Sequence, residues 1–132
     1  MPVAFSPDSK LLVGTLQSQG NSEETTIALW RVSDGRLQSR LETKAKDVHQ
    51  SAFSPDGALL AMPVSTEMVW QGNGGSYRYG KIQIWRVSNR RQLRVIEGDA
   101  DTNFGSIVFS PDGTLLAAGS EDGTIWLWGV EE

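Results

Sequence analysis

The pentapeptide FSPDG decides how this sequence folds, because it occurs almost unchanged at three points along the chain. The copies are FSPDS at Phe5–Ser9, FSPDG at Phe53–Gly57 and FSPDG at Phe109–Gly113. Proline presets φ at the second position of a tight turn, aspartate suits the third position, and glycine suits the fourth. Each copy therefore predicts a turn that joins two strands.

The residues after each turn repeat as well. An apolar run comes first, and a segment of alternating apolar residues with a tryptophan follows it: IALWRV (27–32), IQIWRV (82–87) and IWLWGV (125–130). In the first two copies, a second turn then leads into a fourth strand. Each unit is predicted to be a four-stranded antiparallel meander, with strands A, B, C and D. The third copy stops after strand C.

The predicted fold class is all-β, and the meanders must stack on one another. Both faces of each short sheet are apolar, so a single unit cannot bury its own surface. At 132 residues the chain has the length of one domain. We expect a single domain over 1–132, with repeats at approximately 1–42, 43–97 and 98–132.

The segment Ile96–Val130, IEGDADTNFGSIVFSPDGTLLAAGSEDGTIWLWGV, closely resembles one repeat of the WD40 family of β-propellers. The resemblance extends over essentially the whole chain and implies propeller blades. Such rings close with about four to eight blades, so three blades do not form a ring. The chain is therefore either a piece of a longer propeller or a unit that assembles with further copies.

The resemblance also implies a hydrogen-bonded tetrad in each blade, which this sequence does not preserve. The strand C tryptophans remain, but the histidine position holds Lys44 or Asp99, and only Asp122 keeps the turn aspartate. The strand B position holds Gly14, Met62 or Ala118. We therefore expect the blades to depend on apolar packing.

Composition excludes several classes of function. The net charge of −4 lacks the basic excess that binding to nucleic acid requires. The absence of cysteine excludes thiolate metal sites and disulfides, and no run of residues has the length of a membrane span. A cytosolic protein without a cofactor is the expectation.

Catalysis is not expected either. His49 is the sole histidine, so any triad would need it at its centre. The repeated carboxylates Asp8, Asp56 and Asp112 belong to the predicted turns, and Gly72, Gly74 and Gly75 do not stand between a strand and a helix as a phosphate loop would.

The candidate binding site is an insertion between strands B and C of the second copy. The distance from the turn phenylalanine to the strand C tryptophan is 19 residues in the third copy, 25 in the first and 32 in the second. Long loops on a rigid scaffold commonly carry function, and exposed aromatic and arginine side chains are enriched at binding hot spots. The candidate contact residues are Met68, Trp70, Tyr77, Arg78 and Tyr79. The alternative is that the rings fold back and cover a blade edge.

A second candidate is a basic patch at the C–D turn of the second copy, formed by Arg86, Arg90, Arg91 and Arg94. Arg31, Arg36 and Arg40 take matching places in the first copy. The patch would bind an acidic partner segment, or it is a solvated edge that discourages aggregation.

The leading hypothesis is a non-catalytic WD40-type scaffold that binds a protein or peptide through its B–C loop face. The alternative is an accessory or sensor domain of a larger enzyme, such as a peptidase, a signalling ATPase or a kinase. A TolB-like periplasmic propeller is a further alternative, because that group also uses FSPDG.

Overall fold

The protein is all-β, as predicted. Its structure, a computed structural model, describes residues 3–17, 25–43, 45, 47–65, 67–72, 74–99 and 102–130, with the backbone alone at 17, 67–71, 76 and 77. These residues contain no helix, so no helical membrane span is found among them.

The first sheet is a four-stranded antiparallel meander, as the sequence predicts. Its strands are β1 (Ala4–Phe5), β2 (Leu11–Gln17), β3 (Thr25–Arg31) and β4 (Leu37–Glu42). They are hydrogen-bonded in sequence order. A β-bulge between Leu29 and Trp30 shifts the register of β3 against β4.

The second sheet has five strands where four were predicted, because strand A is divided in two. Its strands are β5 (Asp47–Val48), β6 (Ala52–Phe53), β7 (Leu59–Ser65), β10 (Lys81–Arg86) and β11 (Arg91–Glu97). Both β5 and β6 pair with β7. Between β7 and β10, a separate hairpin contains β8 (Glu67–Gln71) and β9 (Gly74–Arg78).

The division of strand A lies opposite Pro63. The His49 amide donates to the Pro63 carbonyl at 2.8 Å, so the nitrogen of Pro63, which carries no hydrogen, also faces strand A. A missing donor inside a ladder favours a bulge. Strand A accordingly has three residues between Val48 and Ala52, whereas β7 has only two residues between the partners of these two, Val64 and Ala61.

The third sheet has three strands and lacks strand D, as predicted. It contains β12 (Phe104–Phe109), β13 (Leu115–Ser120) and β14 (Ile125–Gly129), paired in that order. A register shift between Phe104 and Ile107 repeats, in β12, the bulge seen between β5 and β6.

The three sheets stack with the second in the middle, so β7 is buried along its whole length. One apolar core joins the first and second sheets and includes Leu29, Leu60 and Trp85. The other core joins the second and third sheets and includes Ile84 and Phe104. The prediction that both faces of a meander need a neighbour is therefore confirmed for the second sheet.

The outer faces of the stack carry exposed apolar side chains. On the third sheet, Ile125 is 73% exposed and Leu127 is 64% exposed, and on the first sheet Phe5 is 62% exposed. The sheets do not close into a barrel or ring among the described residues. The structure is a partial stack of propeller blades.

A buried polar network crosses the boundary between the first and second sheets. The Thr43 hydroxyl donates to Gln83 Oε1 at 2.6 Å, and the Trp85 indole N–H donates to the same oxygen at 3.1 Å. The expectation that the blades depend on apolar packing was therefore incomplete. Gln83 supplies one acceptor for two buried donors, which partly takes the place of the missing tetrad.

Candidate protein-interaction site

The insertion in the second unit lies between β7 and β10, where the sequence places it, but it is an ordered hairpin and not an irregular loop. The pairs run from Glu67 and Arg78 at its base to Gln71 and Gly74 at its tip. Gly72 at the tip has φ +49, a left-handed conformation that glycine adopts without strain. The sequence QGNGG between two segments with β-forming residues is a signal for a hairpin, and the prediction of a loop did not take it into account.

The hairpin register groups three of the candidate contact positions. Met68 pairs with Tyr77, and Trp70 stands two residues after Met68 on the same strand. Because alternate positions of a strand share a face, and directly paired positions share a face across a hairpin, positions 68, 70 and 77 fall on one face. The side chains of these three residues lie outside the described part of the chain.

Tyr79 is held by the scaffold at the base of the hairpin. Its ring stacks on His49 with centroids 4.8 Å apart, and its hydroxyl donates a hydrogen bond to the Asp47 carboxylate. The Tyr79 amide donates to Asn103 Oδ1 at 3.0 Å, and its carbonyl accepts from the Phe104 amide at 2.8 Å. Tyr79 is half-buried, and its ring lies against the edge of the blade.

Arg78 also reaches back to the scaffold. Its Nη1 donates to the carbonyl oxygen of Asp99 at 3.4 Å, in the segment between the second and third sheets. The side chain is half-exposed. Arg78 and Tyr79 therefore fix the base of the hairpin.

The charges described at this end of the sheets are mostly negative. Lys81 pairs with Glu97 at 3.7 Å, and Asn103 Nδ2 donates to Glu121 Oε2 at 2.8 Å. The acidic residues here are Glu42, Asp47, Glu97, Asp99, Glu121 and Asp122, against the two basic residues Arg78 and Lys81. The described charges at this end of the sheets are therefore negative on balance.

The second candidate site lies at the opposite end of the second sheet. Arg86 and Arg91 are directly paired across β10 and β11, and Arg90 stands in the turn between them. Arg94 lies farther along β11 and donates to the Gly129 carbonyl at 3.4 Å. The structure thus brings Arg86, Arg90 and Arg91 together at one turn, and directs Arg94 towards the third sheet.

The repeated aspartates serve the turns, as the sequence predicts. Asp112 accepts from the Ser110 hydroxyl at 2.7 Å and from the Thr114 amide at 3.0 Å. These bonds stabilise the carboxylate, and they lower its pKa from 3.8 to about 2. Hydrogen bonds from the Ser6 hydroxyl and the Ala58 amide likewise lower the pKa of Asp8 and Asp56.

The described residues offer little for metal chemistry. Histidine and acidic side chains form no cluster suited to a metal ion within that part of the chain. His49, the sole histidine, is exposed and lies against the Tyr79 ring.

The chain is similar to known WD-repeat proteins. Residues 90–129 match the family model "WD domain, G-beta repeat". The small ribosomal subunit protein RACK1y of Oryza sativa subsp. japonica is 28% identical over 129 residues, which are 98% of this chain and 32% of the relative.

Two further relatives also match most of this chain over a minor part of their own length. Probable cytosolic iron-sulfur protein assembly protein 1 of Vanderwaltozyma polyspora is 30% identical over 106 residues, covering 75% of this chain and 30% of the relative. Angio-associated migratory cell protein of Homo sapiens is 25% identical over 129 residues, covering 97% and 25%. The chain thus spans about a quarter to a third of the length of these curated relatives.

The repeated FSPD turns, the stacked antiparallel sheets and these similarities agree with one another. Residues 90–129 form a WD repeat, and the two preceding units repeat its turn sequence and its antiparallel sheet.

Proposed function

We propose that the chain is a non-catalytic scaffold that binds a protein or peptide partner through the β8–β9 hairpin. The single observation that carries the proposal is the hairpin register, which groups Met68, Trp70 and Tyr77 on one face. Aromatic residues and methionine are enriched at the centres of protein interfaces. WD-repeat proteins are typically interaction scaffolds, which supports the same function.

The base of the hairpin is suited to presenting this face. Tyr79 is tied to Asp47, His49 and Asn103, and Arg78 is tied to Asp99. A loop that is fixed at its base loses less conformational entropy on binding than a free one. Arg78 and Tyr79 therefore contribute by holding the hairpin, and positions 68, 70 and 77 make the contact.

The charge around the hairpin defines the chemistry of the partner. Because the described neighbours are mostly acidic, a segment that carries lysine or arginine beside an apolar anchor is favoured over an acidic one. The location we propose is the cytosol. The name of one relative, a cytosolic iron-sulfur protein assembly protein, supports this location.

Selection from a random peptide library displayed on phage tests the proposal. The 132-residue chain is expected to enrich peptides with lysine or arginine beside apolar residues. The triple variant Met68→Ser, Trp70→Ser, Tyr77→Ser should lose their binding by more than tenfold, because each aromatic anchor contributes about 2 kcal/mol or more.

The matched control is Val108→Ser with Leu115→Ser, which removes two exposed apolar side chains from the third sheet. The control should bind the selected peptides as the parent does. If the triple variant and the parent bind them equally, the contact surface lies elsewhere and the proposal is wrong.

A further inference from the structure

The turn between β10 and β11 contains a backbone conformation that does not suit its residue. Arg90 has φ +58, in the left-handed region, where the matching residue of the first sheet is Gly35 with φ +71. Residues other than glycine are held in this region at a cost, and such residues cluster at functional sites. The structure retains an arginine at a position where glycine would be favoured.

The same turn also opposes two like charges. Arg86 and Arg91 are direct cross-strand partners at the ends of β10 and β11. Like charges in this relationship are destabilising. Arg91 is exposed and Arg86 is half-exposed, so water reduces the repulsion without removing it.

The first sheet shows how such a turn is neutralised. There, Arg31 Nε lies 3.2 Å from Asp34 Oδ1, and the Arg36 amide donates to the same oxygen at 3.0 Å. In the second sheet the aspartate is replaced by Asn89, whose Oδ1 accepts from the Arg91 amide at 3.1 Å. The turn bond is preserved and the negative charge is not, so Arg86 has no carboxylate from its own turn.

An acid in the adjacent turn, Asp56, is already engaged in hydrogen bonds. The Val87 amide donates to the Ala58 carbonyl at 2.9 Å, which brings the SPDG turn of the second sheet beside the arginines. The Asp56 carboxylate in that turn accepts from the Ser54 hydroxyl at 2.7 Å and from the Ala58 amide at 3.0 Å. Asp56 therefore reduces the local positive potential and leaves the guanidinium forks available.

The geometry points to a second binding site, in which Arg86, Arg90 and Arg91 bind the carboxylates of an acidic peptide segment. A planar guanidinium matches a carboxylate through two parallel hydrogen bonds. The turn has three features that disfavour folding: the left-handed φ of Arg90, the opposed charges of Arg86 and Arg91, and the missing carboxylate at position 89. A bound carboxylate supplies the missing negative charge, reduces the repulsion between the opposed arginines and pairs with Arg90. The site lies at the opposite end of β10 from the hairpin, so the two partners would not compete.

The test measures the fluorescence anisotropy of a fluorescein-labelled octaglutamate peptide with the 132-residue chain at about 20 mM and about 150 mM salt. The parent should bind, and more weakly at the higher salt. Arg90→Gly and Asn89→Asp should each weaken binding roughly three- to fivefold, the size of one exposed ion pair. Asn89→Asp acts by giving Arg86 the internal partner that Arg31 has in Asp34.

Two controls separate charge recognition from folding. Ser9 has φ +61, so Ser9→Gly relieves the same backbone conformation as Arg90→Gly without removing a charge. Both changes should raise the melting temperature, but Ser9→Gly should leave peptide binding unchanged. Arg36→Ser removes one arginine from the neutralised turn of the first sheet and should also leave it unchanged.

The proposal is overturned if octaglutamate does not bind, or if Arg36→Ser weakens binding as much as Arg90→Gly. Binding of a single-stranded DNA oligomer that is as tight as the binding of octaglutamate would assign the site to nucleic acid instead. Displacement of octaglutamate by inorganic phosphate at equal concentration would assign it to phosphate. A melting temperature that rises in Arg90→Gly while binding stays constant would show that the turn has no such role.

Discussion

Tyr79 stacks on His49 with ring centroids 4.8 Å apart and an interplanar angle of 25°. The contact joins the end of the inserted hairpin to the bulged strand A of the second sheet, and the Tyr79 hydroxyl adds a hydrogen bond to Asp47 on the same strand. The hairpin and the blade edge are therefore coupled at one residue. A residue that makes both contacts contributes to the stability of the fold.

Replacing Tyr79 should therefore reduce stability. Tyr79→Phe keeps the stacked ring and loses the hydrogen bond to Asp47, so the expected cost is about 1 kcal/mol. Tyr79→Ser also loses the ring, and the expected cost is about 2 to 3 kcal/mol. Urea denaturation measures both values.

The control for this prediction is Tyr77→Ser, two residues earlier. If Tyr77 serves the contact face, its replacement should change the free energy of unfolding by less than about 0.5 kcal/mol. Equal losses in Tyr77→Ser and Tyr79→Ser would show that the whole hairpin packs on the scaffold. An unchanged Tyr79→Ser variant would show that the ring contact contributes nothing.

A second prediction concerns the buried oxygen of Gln83. Gln83→Leu fills a similar volume but leaves the Thr43 hydroxyl and the Trp85 indole N–H without their shared acceptor. Each buried donor without a partner costs about 1 to 3 kcal/mol, so the variant should lose about 2 kcal/mol or more.

A double-mutant cycle with Thr43→Val isolates this interaction. Thr43→Val removes one donor at nearly constant volume, so the double variant should lose less than the sum of the two single losses. The coupling energy should be about 1 kcal/mol. Additive losses would mean that the two side chains do not interact in the folded protein.

A third prediction concerns the pH dependence that the turn aspartates create. The folded pKa of Asp112 is about 2, below its ordinary value of 3.8, because hydrogen bonds favour the charged form. A carboxylate with a lowered folded pKa contributes stability above its unfolded pKa, and the contribution is lost as the pH falls through the folded value. Stability should therefore fall between about pH 4 and pH 2.

Asp112→Asn tests the sign of this effect. The amide preserves an acceptor and does not titrate, so the variant should be less stable than the parent at pH 7 and equal to it near pH 2. Thermal melts across this range measure the difference. A constant gap between the two proteins at every pH would contradict the assignment, because the effect of the substitution would then not depend on ionisation.

The sequence predicts those features of the fold that depend on neighbouring residues in the chain. It does not predict features that depend on a residue of another strand. The FSPD turns are fixed by neighbours in the chain, as the Ser54 and Asp56 hydrogen bond illustrates. The bulge at His49 depends on Pro63, a residue on the adjacent strand. The role of Gln83 depends on Thr43, 40 residues away. Such pairings do not appear in a repeat pattern.

The candidate site shows the same division. Counting residues between the repeated phenylalanine and tryptophan locates the insertion, since the scaffold fixes the other distances. Counting does not separate Tyr77 from Tyr79, because their difference depends on His49 and Asn103 across the fold. The arginine turn could be found from the sequence, but the strain at Arg90 and the pairing of Arg86 with Arg91 required backbone geometry.

The last prediction follows from the repeat itself, which makes the two outer faces complementary. Ile82 and Ile84 of the second sheet are 0% and 2% exposed against the third sheet, whereas the matching Ile125 and Leu127 are 73% and 64% exposed. Phe53 packs in the core between the first two sheets, and the matching Phe5 is 62% exposed. The outer face of the third sheet thus corresponds to the face of the second sheet that the third sheet covers. The outer face of the first sheet, with Phe5, corresponds to the face of the second sheet that packs on the first.

We expect the 132-residue chain to associate head to tail with further copies, the third sheet of one packing on the first sheet of the next. Buried apolar surface contributes about 25 cal/mol per Å², and two such faces are available on each copy. Leu127→Ser should weaken association from one side and Phe5→Ser from the other. Light scattering with size-exclusion chromatography measures the mass of each species.

Mixing the two variants distinguishes this arrangement from a symmetric dimer. Leu127→Ser retains an intact first-sheet face and Phe5→Ser retains an intact third-sheet face, so each variant alone should be monomeric. An equimolar mixture should form a dimer and nothing larger, because both of the remaining outer faces in that dimer are defective. A symmetric interface behaves differently, since one of the two variants would still pair with itself.

Val32→Ser, which removes an exposed apolar side chain from a turn, should leave association unchanged. Self-association of either single variant at the level of the parent would exclude the head-to-tail interface.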